Sequence, residues 1–322
     1  QGNLKMVNSH IFFLPEKKIL INRYNLIKEK IYPLINNRNI AHLDVPCYFN
    51  IGDLLIDAGT TQFIKESHAH CIGRYSALES RRLKKHTLPV NTTLLLQGGG
   101  NFGDLYPVHQ KFRDKIIQQY PENPIIILPQ SIHYQEHSNF IIDANIINQH
   151  RDILICARDQ VSFDYLSKEI SSDKICLLPD MALGLTAAMP TKKKDSNGTL
   201  FFRRRDKEIP LLNSEDPSFK DGFDWDDIIT YKNERQLKRC RRALKKSNFR
   251  IIHKYGHFTH QKLRDELIQN AIQHFQKFSL VDSNRLHGLI LGQLLQIPTI
   301  IRDNSYGKNS NYFNTWHNEW NK

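Results

Sequence analysis

Short apolar runs alternate with segments of helical apolar spacing along most of this chain. Residues 22–35 carry Leu26, Ile27, Ile31, Leu34 and Ile35 at helical intervals, and residues 41–45 form a weak strand candidate. Apolar and small residues over 54–66 predict a helix. Residues 92–96, 125–128, 153–157 and 175–178 are strand-length runs rich in Ile, Leu and Thr. Helical spacing separates them over 111–120 and around Phe163, Tyr165 and Leu166. Strand, polar edge and helix in repeated succession predict a doubly wound parallel sheet. Residues 189–198 turn abruptly polar and turn-forming, which marks a domain boundary. Beyond it the α/β pattern resumes: strands over 199–202, 249–253, 278–281 and 298–301, and helices over 234–246, 262–275 and 288–295. Two domains, 1–190 and 199–322, are therefore expected, with no detectable repeat between them.

The polar residues gather at strand ends, where open α/β sheets place ligands. Asn50-Ile51-Gly52-Asp53 precedes the 54–66 helix, and Asp53 has a simple alternative role as a helix N-cap. Gln97-Gly98-Gly99-Gly100-Asn101-Phe102-Gly103-Asp104 follows the 92–96 strand. Its glycines satisfy G-x-G-x-x-G, but the following strand ends in Pro129-Gln130-Ser131 rather than an acidic residue, which argues against a nicotinamide cofactor. Arg285 and His287 lie between an apolar run and a small-and-apolar helix, and the next strand delivers Asp303, Asn304, Tyr306 and Lys308 to the same edge. A lone Arg–His pair is more often a cap and a satisfied core histidine. The second polar cluster shifts the balance toward a site.

Composition narrows the class. In 322 residues, 40% are hydrophobic and 24% charged, as in a packed globule, and no apolar run approaches the length of a membrane span. No leader pattern is seen at the N-terminus. Five scattered cysteines without Cys-x-x-Cys pairs argue against a disulfide framework or a cysteine zinc site and suit a reducing cytoplasm. The net charge of +12 is lumped at Arg81–Lys85, 192–194, Arg203–Arg205 and 238–246. No basic–aromatic module for nucleic acid accompanies it, so most lumps read as solvated faces. His253, His257 and His260 have ligand-like spacing, but Gly256 and the 249–253 strand argue against a metal. Tyr312, Phe313, Trp316 and Trp320 read as core docking of the last helix.

In order and spacing, these edges resemble the polysaccharide pyruvyl transferase family over roughly 50–316. The motifs are Asn50 to Asp53, Gln97 to Asp104, Pro129-Gln130-Ser131, Ala157-Arg158-Asp159, Pro179-Asp180, Arg204-x-Asp206, Arg285-Leu286-His287-Gly288 and Asp303 to Lys308. The resemblance implies an α/β protein of two Rossmann-like domains facing across a cleft, GT-B-like. Its 1–190 domain would take the acceptor and its 199–322 domain the donor. It implies transfer of the pyruvyl group of phosphoenolpyruvate onto two hydroxyls of a sugar as a cyclic ketal. The acceptor would be a bacterial surface polysaccharide or its lipid-linked oligosaccharide precursor.

Residue by residue, the resemblance makes His287, Arg285 and Asp104 catalytic, with His287 the general acid/base and Asp104 or Asp53 accepting a hydroxyl proton. Arg204, Arg285, Asn304 and Lys308 would bind donor, since guanidinium groups grip phosphate and carboxylate in two-point fashion. Asp53, Asn101 and His133 would face the acceptor. No metal and no cofactor are expected, phosphoenolpyruvate being a substrate, and no nucleic-acid partner. The expected location is the cytoplasm, at the inner membrane face if the 238–246 helix meets lipid. The competing readings are a GT-B-like glycosyltransferase using a nucleotide sugar and a non-catalytic sugar- or nucleic-acid-binding module.

Overall fold

The computed structural model describes residues 6–7, 10–85, 87–191, 195–206, 208, 222–246 and 250–317. The first sheet is built from β3 (Asn39–Leu43), β4 (His70–Tyr75), β5 (Thr92–Leu96), β6 (Gly99–Phe102), β7 (Ile125–Ile132), β8 (Ile153–Ala157) and β9 (Ile175–Leu177). Their order is β4-β3-β5-β7-β8-β9, every pairing is parallel, and β6 adds to the far end of β7. Helices α1 (Lys17–Ile35), α2 (Ile51–Glu66), α3 (Ser80–Lys85), α4 (Pro107–Gln119), α5 (His137–Gln149) and α6 (Gln160–Leu166) surround it. Strand β5 is buried at all five residues, as expected for a strand covered on both faces.

The second sheet has the order β1-β2-β12-β11-β10, from β1 (Met6–Val7), β2 (His10–Phe13), β10 (Thr199–Phe202), β11 (Leu280–Ser283) and β12 (Thr299–Ile301). Strands β10, β11 and β12 run parallel, whereas β2 pairs antiparallel with β12. Helices α7 (Tyr231–Lys246), α8 (Arg250–Phe275) and α9 (Leu286–Leu294) accompany this sheet, and α10 (Lys308–His317) follows β12.

The expected division at 1–190 and 199–322 needs correction at both ends. Strands β1 and β2 belong to the second sheet. Helix α10 returns to the first half: Trp316 Nε1 donates to the Arg158 carbonyl at 2.8 Å, and Gln160 N–H donates to Thr315 Oγ1 at 2.8 Å. Tyr312, Phe313 and Trp316 are buried, as core docking requires, while Trp320 and residues 192–194 lie outside the described residues.

The strand expected over 249–253 is also corrected. The described part of that run, from Arg250 onward, opens the long helix α8. Short apolar runs do not distinguish strand from buried helix, and here the helix of residues 262–275 extends backward through the run.

Apolar packing joins the halves. One core cluster runs from Leu20 and Ile27 on α1 and Leu54 and Leu55 on α2 to Leu267, Ile290 and Trp316. A second, including Leu94, Ile116, Ile127 and Ile155, fills the opposite face of the first sheet.

Candidate active site between the two sheets

The ends of β3, β5, β10, β11 and β12 converge on one cavity of about 360 Å³. The first half contributes Tyr48, Asn50, Asp53, Gly100, Asn101 and His109; the second contributes Arg204, Asp206, Glu208, Arg285, His287 and Lys308.

Asn50 caps α2, its side chain accepting from Gly52 N–H at 3.0 Å. Asp53 is therefore not the cap. It stands in the first turn of α2 and faces the cavity. Gly52 is required by contact: a Cβ there would lie 2.7 Å from His287 Nδ1. The imidazole thus rests on the first turn of a helix from the other half. Its Nε2 lies 3.2 Å from Asp180 Oδ2. Asp180 is buried and also accepts from Arg158 at 2.8 Å and from Ala182 N–H at 2.9 Å. Burial works against its anion, but His287 and Arg158 together hold the carboxyl well below the usual carboxylate range.

Arg285 spans Asp224, through Nε and an amino group at 2.5 and 2.7 Å, and Asp206 at 3.0 Å. Arg204 holds Asp206 in a two-point fork at 2.8 and 3.0 Å and Glu208 at 2.7 Å. The neighbouring arginines turn elsewhere. Arg203 is buried against Asp282, tying β10 to β11, and Arg205 reaches out to Asp227. Glu208 is a hub: the hydroxyls of Tyr106 and Tyr306 donate to it at 2.7 and 3.0 Å, and Asn304 Nδ2 at 3.0 Å. Against the pull of burial, Lys308, Arg204 and these donors keep Glu208 ionised.

Lys308 enters from the start of α10. Burial lowers its ammonium to about 8, although Glu208, 3.9 Å away, favours the charge. Gly100 makes room for it, since a Cβ there would sit 2.4 Å from Lys308 Nζ and 3.1 Å from an Arg158 amino nitrogen. That amino nitrogen is buried and has no hydrogen-bond partner among the described residues.

Three expected site residues stand elsewhere. Asp104 does not reach the cavity. Gly103, at φ +121°, turns the chain against the His133 carbonyl, and the Asp104 carboxylate then accepts from Gln135 and Glu136 N–H at 2.8 and 3.0 Å and from Asn139 at 3.1 Å. It caps α5. His133 stacks on Tyr306 with ring centres 4.5 Å apart, behind the cavity wall. Asn304 lies one layer back, accepting from Lys308 N–H at 2.9 Å while holding Glu208. Asn101 does line the cavity, its side-chain oxygen fixed by Arg113 at 2.9 Å.

Sequence reasoning assigned no role to Glu208, Asp224, Asp180 or His109. Asp180 stood in a quoted motif, so a signal existed. Glu208 and Asp224 flank a stretch with no periodicity to place them. His109 lines the cavity with Nδ1 2.9 Å from Asp44 Oδ1, and that carboxylate raises its pKa despite burial.

Comparison with known proteins identifies the family. The pattern of the family described as polysaccharide pyruvyl transferase matches residues 50–306. A "putative pyruvyl transferase EpsO" of Bacillus subtilis is 36% identical over 299 residues, 90% of each chain. "Pyruvyl transferase 1" of Schizosaccharomyces pombe is 24% identical, across 87% of this chain and 70% of its own. A crystal structure of a functionally uncharacterized Klebsiella pneumoniae protein superposes with a TM-score of 0.56 over 92% of this chain and 93% of its own, at 20% identity. With the matched span enclosing most of the cavity's lining, the chain belongs to the polysaccharide pyruvyl transferase family and is an enzyme of that class.

Proposed function

We propose that the enzyme transfers the pyruvyl group of phosphoenolpyruvate onto two hydroxyls of one sugar, in a surface polysaccharide or its lipid-linked precursor, as a cyclic ketal. The observation that carries this reading is the gathering of Arg204, Arg285 and Lys308 with the His287 imidazole in a single small cavity. A donor with a phosphate and a carboxylate needs such fixed cations. The two α/β halves serve as Rossmann-like domains of a GT-B-like enzyme, with donor on the Arg204–Arg285 wall and acceptor on the Asp53–Asn101 wall.

The chemistry follows from the groups present. His287, held by Asp180, protonates the methylene carbon and leaves oxocarbenium character at the neighbouring carbon. The first sugar hydroxyl attacks that carbon, and its proton passes to a cavity base, with Asp53 in place for this. Phosphate leaves into the grip of the arginines and Lys308, and the second hydroxyl closes the ring. One hydroxyl proton makes good the proton given to the methyl group, and the other leaves with phosphate. The donor exchanges with Asp206 and Asp224 for the guanidinium forks, so binding replaces internal ion pairs rather than finding bare cations.

The same reading places the protein in the cytoplasm at the membrane face. Supporting it, α7 presents Lys238, Arg239, Arg241 and Arg242 outward beside the exposed Ile251, Tyr255 and Phe258 of α8, a basic rim around apolar side chains. Sedimentation with anionic vesicles tests that part.

The central test is incubation with phosphoenolpyruvate and candidate glycans, reading phosphate release together with the mass gain of a ketal. Turnover with a nucleotide sugar and none with phosphoenolpyruvate would remove the proposal.

A further inference from the structure

Away from the active cavity, a second buried cluster joins the two halves. Glu79 closes a short turn of 3-10 helix (Ala77–Glu79) after β4, in the first half. His253 and His257 stand four residues apart on α8, in the second. On a helix that spacing puts both rings on one face. All three residues are at most 7% exposed. One ligand atom from each, the two imidazole nitrogens and a carboxylate oxygen, lies within 4.8 Å of the others.

We propose that Glu79, His253 and His257 bind one divalent transition-metal ion of the zinc type, which clips the 3-10 turn to α8.

Simple hydrogen bonding explains the cluster less well. His253 Nε2 does meet Glu79 Oε1. His257 Nε2, however, lies 3.0 Å from Glu79 Oε2 without hydrogen-bonding geometry, a buried nitrogen close to the carboxylate but with no hydrogen-bond partner among the described residues. Leaving a buried polar atom unpaired is costly, and a cation between the three donors would satisfy it. Imidazole nitrogens with one carboxylate are a ligand set for zinc rather than for calcium or magnesium. The carboxylate is also held from behind, as ligands commonly are, since Ser76 N–H donates to Glu79 Oε2 at 2.8 Å within a capping box.

His253 and His257 also line a cavity of about 930 Å³, which gives the ion an entry path and leaves room for a water as further ligand. None of its lining residues is shared with the active cavity, so the ion is assigned no part in the reaction. Its role is to hold two halves that carry opposite walls of that cavity.

The test uses the full chain, stripped of metal with a chelator and titrated with Zn²⁺ by calorimetry, then with Co²⁺ by visible absorption. The expected result is one tight equivalent per chain. His257→Asn, and separately Glu79→Gln, should weaken it at least 100-fold. Saturating Zn²⁺ should raise the wild-type melting temperature and leave that of the variants unmoved. The Co²⁺ form should show d–d bands without the near-ultraviolet charge transfer of a thiolate ligand. Absence of a tight equivalent in wild type, its survival in both variants, or a thiolate charge-transfer band would each overturn the assignment. The wild-type calorimetry and spectrum stand even if a variant folds poorly.

Discussion

The imidazole of His287 and the carboxylate of Asp180 meet across the junction of the two halves, Nε2 to Oδ2 at 3.2 Å. The pair separates chemistry from support. Removing His287 leaves Asp180 with Arg158, whereas removing the carboxylate also strands a buried guanidinium. His287→Asn is expected to lower kcat by roughly 10²–10⁴-fold with an unfolding midpoint near that of wild type. Asp180→Asn should lose both turnover and stability, the latter by about 3–5 kcal/mol. Urea unfolding monitored by circular dichroism, beside steady-state rates, distinguishes them. Full activity in either variant would refute the assigned pairing.

Arg285 engages two carboxylates through its planar fork. A lysine keeps the charge but not the fork. Arg285→Lys should raise KM for phosphoenolpyruvate about tenfold, equivalent to about 1.4 kcal/mol, and leave KM for the glycan little changed. An unaltered donor KM would count against a donor-gripping role.

Lys308 carries a pH prediction. Burial, ahead of all other causes, brings its ammonium down to about 8, so the cation present at neutral pH is lost as pH rises through that value. The phosphate of the donor, with a second pKa of about 6, is already ionised there and adds no limb of its own. kcat/KM for phosphoenolpyruvate should therefore fall above pH about 8, and Lys308→Arg should flatten that fall. A limb of the same position in the arginine variant would show that another group titrates.

Two glycines should respond oppositely. At Gly100 an added Cβ meets the flexible end of Lys308, which can withdraw; at Gly59 it would stand 2.0 Å from the Met181 carbonyl, which belongs to the backbone. Gly100→Ala should keep its melting temperature and weaken donor binding. Gly59→Ala should lose about 3 kcal/mol or more, because backbone must shift. Thermal denaturation with and without phosphoenolpyruvate reads both.

Asp114 is raised to about 7, by burial first and then by Asp143. An acid with a raised pKa in the folded state binds protons preferentially there, so its effect is to lower stability as pH climbs from about 4 to about 7. Asp114→Asn should remove that slope and stabilise the protein at pH 8 by about 1 kcal/mol. A steeper decline in the variant would contradict the sign.

The sheet edges were readable because strand-length apolar runs end in glycine, carboxylate or arginine, and parallel sheets collect such ends. Arg204, Arg285, His287, Lys308, Asp53 and Asn101 all come from those edges and do share one cavity. Asp104 misled because proximity along the chain ignores the turn at Gly103, which sends the carboxylate to the start of α5. Asn304 and His133 lie near the cavity but spend their side chains on Glu208 and Tyr306. Glu208 and Asp224 belong to no periodic run of the sequence, so no spacing brings them to Arg204 and Arg285. The 250–253 segment joined a helix because the pattern downstream overrode a short, ambiguous run.

Strand β2 hydrogen-bonds to β12, the last strand of its sheet to leave the ribosome, while α10 lies against α6 and the end of β8. The β1–β2 hairpin must therefore wait for its place beside β12 until the long stretch between them has been synthesised. Long-range closure of this kind slows folding and exposes an open strand edge meanwhile. Cutting the chain at 190–199 would leave each fragment lacking an element that the other holds, so the pieces should be recovered as a working enzyme only when produced together.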